Sequence, residues 1–256
     1  MNRISRKFEE LRRAGRKGLV GYLTAGDPDL ARSEQDIRCA LQSGVDVLEL
    51  GVAFSDPTAD GPTIQAASQR ALASGITIPR ILELVRTIRR DFDQPIVLFG
   101  YANPFFSYGY ERLCCDAAAA GADGLLVVDL PHEEKEELLQ YMRPAGLAFI
   151  PLIAPTTPAD RAAKILKGAD GFVYYIMVKG VTGERRDLAD DVGQRIAALR
   201  RATALPIAAG FGISGAAQAR SAAALADAVV CGSALVKAAR EGRLAAFVRE
   251  LRAAVG

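Results

Sequence analysis

Short unbroken apolar runs recur along the chain, and between most of them apolar residues return every three or four positions. The first pattern predicts buried strands and the second predicts helices with one apolar face. Asn2 can cap a first helix with Ile4, Phe8 and Leu11 on one side, ended by Gly15. A strand over 18–23 follows, then a helix over Leu30–Ser43 stopped by Gly44, and a strand over 45–50. The same alternation predicts a helix from Pro79 to Arg90, a strand over 95–99, a helix over 110–120 and a strand over 124–128. Next come a helix over 133–142, a strand over 148–152, a helix over 158–166 and a strand over 172–176. A long polar loop runs from Lys179 to about Leu188, before a helix over 192–201 and a strand over 206–209. A helix of small residues reaches Leu225, a last strand spans 228–230, and two short helices finish the chain.

Eight strands alternating with helices call for parallel pairing through right-handed crossovers. The expected fold is a single (β/α)8 barrel domain over residues 1–256, with an extra helix at the N-terminus. The alternative is an open doubly wound sheet, which usually carries a GxGxxG turn after its first strand. Here that turn reads Thr24-Ala25-Gly26-Asp27-Pro28.

Against this pattern a few polar residues stand out. Glu49 interrupts the second strand, where a charged, unpaired carboxylate would cost several kcal/mol. Asp60 supplies a second carboxylate on the stiff loop that follows. In a barrel the site is built from loops at the strands' C-terminal ends. Tyr101 and Asn103, Asp129, and Thr182 with Gly183 all fall in such loops. The seventh and eighth strands end in Gly210-Phe211-Gly212-Ile213-Ser214 and Cys231-Gly232-Ser233. Glycines there let backbone N–H groups approach an anion, and each following helix adds its positive dipole end. The same residues could also serve only as turns and caps. Taken together on adjacent strands, they predict a phosphate site.

Composition narrows the chemistry further. Half of the 256 residues are apolar, so a large core is available, and the formal net charge is +2. That balance gives no reason to expect nucleic-acid or membrane binding. Cys39, Cys114, Cys115 and Cys231 show no CxxC spacing and read as small core residues of a reduced compartment. The single histidine, His132, reads as an exposed residue at a helix start, and no metal site is expected. The N-terminus lacks the apolar core of a secretory signal. A cytoplasmic location is expected.

Several stretches together resemble a known family. Leu48-Glu49-Leu50-Gly51-Val52, Phe54-Ser55-Asp56-Pro57 and Ala59-Asp60-Gly61-Pro62-Thr63-Ile64-Gln65 are similar to the signature of the tryptophan synthase α subunit. Gly26-Asp27-Pro28, Tyr101-Ala102-Asn103-Pro104, Asp129-Leu130-Pro131, Lys179-Gly180-Val181-Thr182-Gly183 and Gly232-Ser233-Ala234 extend the similarity over nearly the whole chain. The resemblance implies a TIM barrel and retro-aldol cleavage of indole-3-glycerol phosphate to indole and glyceraldehyde 3-phosphate. By that resemblance Glu49 is the general acid–base, Asp60 receives the indole N–H, and Tyr174 helps position the substrate. Tyr22, Tyr101, Leu125, Val127 and Ile153 would line the indole pocket. Gly183, Phe211, Gly212, Gly232 and Ser233 would hold the phosphate, and Thr182 would close over Asp60.

The family implies no cofactor in this chain; pyridoxal phosphate would belong to a β subunit in an α2β2 complex. Asp56 and Pro57 match that contact, and Asp129 belongs to the same group of loops. Four positions depart from the family pattern: Ala53 and Val128 where proline is common, Thr58 where leucine is common, and Met177 where serine is common. Ala53 and Thr58 lie in the loop expected to meet the β subunit. Two other readings therefore stand beside the α subunit: a free-standing lyase, and a barrel that only binds a partner.

Overall fold

The computed structural model describes residues 2–177, 186–210 and 212–256, with only the backbone described over 186–191. The elements run α1 (Arg3–Arg13), β1 (Gly18–Thr24), α2 (Leu30–Ser43), β2 (Val47–Gly51), α3 (Pro62–Ala73), α4 (Ile78–Arg89) and β3 (Ile96–Gly100). They continue α5 (Ala102–Tyr108), α6 (Tyr110–Ala120), β4 (Gly124–Val127), α7 (Glu136–Ala145), β5 (Ala148–Phe149), β6 (Leu152–Ile153) and α8 (Ala159–Leu166). The last are β7 (Val173–Ile176), α9 (Arg186–Ala202), β8 (Ile207–Gly210), α10 (Ala216–Leu225), β9 (Ala228–Cys231), α11 (Ser233–Arg240) and α12 (Leu244–Val255).

All strand pairs are parallel, in the order β5-β4-β3-β2-β1-β9-β8-β7-β6. The two ends of that order are consecutive pieces of the expected fifth strand. Ile150 donates its N–H to Leu125 on one side, and Pro151 accepts from the Tyr174 N–H on the other. Proline has no N–H to give, so the ladder breaks there while the chain itself carries the ring around. The result is the expected (β/α)8 barrel.

Two apolar layers follow from the period-two alternation of strands. The inner layer holds Val20, Val47, Val97, Leu126, Ala148, Ile150, Phe172, Ala208 and Val230. Ile4 and Phe8 of α1 join it from below, and Phe8 meets Phe172 at 5.6 Å between ring centroids. The helix expected at the N-terminus thus plugs the bottom of the barrel. The outer layer packs Leu48, Leu50, Leu98, Leu125, Tyr175 and Val229 against the helices.

A repeated clasp ties the bottom of the strands to the helices. Asp46, Asp123 and Asp227 each stand just before or at the start of a strand. Each gives its backbone N–H to the first residue of a strand lying alongside, Leu19, Ile96 or Ile207, or to a residue near its start. Each carboxylate accepts a backbone N–H back from that same residue, at 2.8 or 2.9 Å. Each also pairs with an arginine: Arg252, Arg89 and Arg200. Asp123 holds Arg3 of α1 as well, at 3.1 Å.

Several expectations need correction. α3 was not foreseen, because its buried face is Ala67, Ser68 and Ala71, which give little contrast with the polar face. α5 occupies what read as a loop; Pro104 lies in its first turn, where a missing N–H is no loss. α9 begins at Arg186, so residues 186–188 are helix rather than loop. α7 begins at Glu136, after turns over 132–135. Cys115 is exposed rather than core, since its neighbour Cys114 takes the buried face of α6. His132 is half-buried, with its Nδ1 enclosed.

Asp123→Ala would strand the largely buried Arg89 guanidinium and free one Ile96 N–H. A loss of about 3–5 kcal/mol is expected, measured as a lower denaturant midpoint.

Candidate active site

Tyr22 on β1, Glu49 on β2 and Val97 on β3 are aligned partners across the sheet. Val97 faces the barrel interior, so Tyr22 and Glu49 do too. Glu49 is 1% exposed, and its Oε1 has no hydrogen-bond partner among the described residues. Burial alone pushes its carboxyl from the ordinary 4.5 up to about 8. At neutral pH burial thus favours the neutral carboxylic acid.

Two phenols share the interior with it. Tyr22 is buried; its hydroxyl lies 3.3 Å from Thr24 Oγ1 and directly over Gly51, where a Cβ would sit 2.2 Å from it. Its pKa rises through burial first, then through the charges of Asp60 and Glu49. Tyr174 on β7 is raised by burial and then by Glu49. Its hydroxyl stands over Gly210, where a Cβ would lie 3.0 Å away.

Asp60 lies at the rim. Its loop is pinned by Ala59 N–H donating to the Tyr101 hydroxyl at 3.1 Å and by Gln65 Nε2 donating to the Asp60 carbonyl at 2.9 Å. Burial raises the Asp60 carboxyl, opposed by a hydrogen bond from Tyr101. Tyr101 stacks at a tilt on Phe54, 5.3 Å between centroids. Asp129 accepts the Ala102 N–H at 2.7 Å, which joins the β4 loop to the start of α5. On the same loop as Asp60, Asp56 is exposed and Pro57 half-buried.

Opposite these groups the strands β8 and β9 end in glycine turns. Gly212 has φ +76°, a conformation that suits glycine, and Gly232 caps α11 beside Tyr22. The first N–H groups of α11, starting at Ser233, have no acceptor inside the helix. Thr182, Gly183 and Phe211 lie outside the described residues.

One part of the expected site falls on the wrong face. Leu125, Val127 and Ile153 pack in the outer layer against the helices. The interior positions are their neighbours Leu126, Val128 and Leu152, grouped with Phe99 and Tyr174. A shift of one residue moves a strand side chain to the opposite face. Counting by twos from Val97, through its partner Gly124, would have found Leu126 and Val128. Phe99, which meets the Tyr22 ring edge-on at 5.1 Å, was missed altogether. Met177 and the other departures do not crowd this interior: Met177 packs in the outer layer, and Val128 adds an apolar wall.

Among the described residues no group of three or more His, Cys, Asp or Glu could hold a metal ion. No described helix is long and apolar enough to cross a membrane.

These features define a class: a (β/α)8 barrel with a buried carboxyl facing its interior and glycine turns at the C-terminal ends of its last strands. A family model described as tryptophan synthase alpha chain matches residues 8–253, and the chain belongs to that family. The tryptophan synthase alpha chain of Geobacter sulfurreducens is 50% identical, with 100% of both chains covered. That of Citrifermentans bemidjiense is 53% identical over 93% of this chain and 89% of the relative. The solved alpha subunit of Legionella pneumophila superposes with a TM-score of 0.91 at 36% identity, covering 100% of this chain and 98% of that one. A structure of Mycobacterium tuberculosis tryptophan synthase gives a TM-score of 0.91 at 36% identity, covering 99% and 98%.

The raised Glu49 carboxyl has a consequence for stability. The unfolded chain releases this proton near 4.5 and the native protein near 8. Between those values the unfolded state binds fewer protons, so stability falls as pH rises through the window. Glu49→Gln should remove that share of the fall, on the order of several kcal/mol. Denaturant midpoints from pH 5 to pH 8 should therefore decline less steeply in the variant.

Proposed function

We propose that this chain cleaves indole-3-glycerol phosphate to indole and glyceraldehyde 3-phosphate, as the α subunit of a tryptophan synthase. The observation that carries the reading is Glu49: an enclosed carboxyl, its Oε1 without a hydrogen-bond partner among the described residues, held protonated at neutral pH inside a ring of aromatic and aliphatic walls. The Glu49 acid gives its proton to indole C3, which turns that carbon tetrahedral and leaves positive charge on the ring nitrogen. The Glu49 carboxylate then takes the proton of the side-chain hydroxyl next to the breaking bond. The carbon–carbon electron pair returns to the ring, the aldehyde forms, and Glu49 ends protonated as it began.

Asp60 accepts the indole N–H and stabilises the positive ring nitrogen in the intermediate. Tyr101 supports Asp60 through its hydroxyl and its hold on the Ala59 N–H. Phe99, Leu126, Val128 and Leu152, with Tyr22 and Tyr174, form the walls around the ring. The phosphate sits on backbone N–H groups at Gly212, Gly232 and Ser233; the phosphate roles expected of Gly183 and Phe211 and the covering role expected of Thr182 fall on residues outside those described. No step needs a cofactor held by this chain.

The loop with exposed Asp56 and Thr58 and half-buried Ala53 and Pro57, together with the exposed Asp129, is the surface offered to a pyridoxal-phosphate β subunit in an α2β2 complex. The chain is read as one domain working in the cytoplasm.

Glu49→Gln is expected to lower indole release at least ~10²-fold while the far-ultraviolet circular dichroism spectrum stays native. Equal release by wild type and variant would refute the assignment. Adding purified β subunit is expected to raise the cleavage rate and to shift this chain to earlier elution in size exclusion. Unchanged rate and elution would remove the partnership and leave the lyase chemistry standing.

A further inference from the structure

The bottom of the barrel, opposite the candidate active site, carries a cleft of about 490 Å3. That is the size range of small-molecule sites. Cations from three chain segments converge on it: Arg12 at the end of α1, Arg16 and Lys17 in the turn before β1, and Arg200 in the last turn of α9. One carboxylate, Asp227, also lines it. Asp227 is already engaged by both Arg200 NH groups at 2.9 Å and by the Ile207 N–H at 2.9 Å. Arg12 is likewise engaged, with Glu9 at 2.6 Å.

Arg16 and Lys17 are the uncompensated pair. Neither pairs with an Asp or Glu side chain among the described residues. Lys17 Nζ donates to the Ala226 carbonyl at 2.8 Å, and Arg16 Nε makes one long contact, 3.4 Å, to the main-chain oxygen of Gly256, the last residue. Both therefore keep donors free for an incoming acceptor. The other wall is apolar, from Phe8, Leu11, Leu205 and Pro206. Two free cations beside an apolar wall suit a ligand with an anionic head and a hydrophobic body.

We propose that this cleft is a second binding site, for a small organic anion with a phosphate or carboxylate on an apolar body. Arg16 and Lys17 bind the head, and the body lies on Leu205 and Pro206. The site is separate from the cradle at the strands' C-terminal ends and does not depend on the reaction assigned there.

The test uses 15N-labelled full chain titrated with phenyl phosphate, benzoate and inorganic phosphate, read by amide chemical shifts. Saturable shifts at Gly15, Arg16, Lys17, Ala204 and Leu205 are expected with phenyl phosphate or benzoate, and the stronger of the two identifies the preferred head. Inorganic phosphate should bind there at least tenfold more weakly, for want of a body. The Arg16→Gln/Lys17→Met variant, which removes both charges and keeps most of each side-chain stem, should weaken these shifts at least tenfold while leaving those at Gly212 and Ser233 unchanged. Shifts confined to the Gly212 and Ser233 side, or bottom-face shifts that persist at full affinity in the variant, would overturn the proposal. Equal affinity for inorganic phosphate would overturn the apolar half of it.

Discussion

A closed ring of parallel strands lets only alternate side chains face inward, and everything else about this molecule depends on that constraint. With no open edge, the interior is a sealed column filled by Val20, Val47, Val97, Leu126 and their neighbours and plugged below by Ile4 and Phe8. One polar residue placed on an inward position near the top of that column is automatically dry. Glu49 is that residue, and its raised pKa needs no other cause than its address. The bottom of the same ring is held by aspartates that clasp a neighbouring strand and an arginine, which leaves the top free to carry loops of varied chemistry.

The polar groups at the top are graded by depth. Glu49 is fully enclosed and has only burial acting on it. Asp60, at the rim, feels burial but is partly compensated by Tyr101. Two carboxyls of similar intrinsic strength are thus set apart by environment, one suited to moving a proton and the other to holding charge in place. The phenols Tyr22 and Tyr174 close the space between strands above Gly51 and Gly210, the two glycines that leave room for their hydroxyls.

Much of this is legible in the amino-acid sequence. The alternation of apolar runs and helical periods located nearly every strand, because buried parallel strands are continuous apolar segments bounded by glycine and proline. The misses share a cause. α3 buries alanines and a serine, so its inward face carries little apolar contrast. The fifth strand looks whole in sequence, yet Pro151 cannot donate to a ladder. The family resemblance points to Leu125, Val127 and Ile153 for the pocket, yet their neighbours face in, and an apolar run buried on both faces gives no sign of its own of which half points to the centre.

By itself, the sequence determined the barrel, the oddity of Glu49, the carboxylate loop that follows it and the glycine turns after the last strands. These are local facts, written in periodicity and residue type over a few neighbouring positions. Tertiary structure alone decided which residues meet. Strand register brought Tyr22 beside Glu49 and turned Leu126, Val128 and Leu152 toward them. Segments distant in sequence bring Arg16, Lys17 and Arg200 to one cleft at the opposite pole. Register and closure are long-range properties, set by the fit of every strand to two neighbours at once, and no local window contains them.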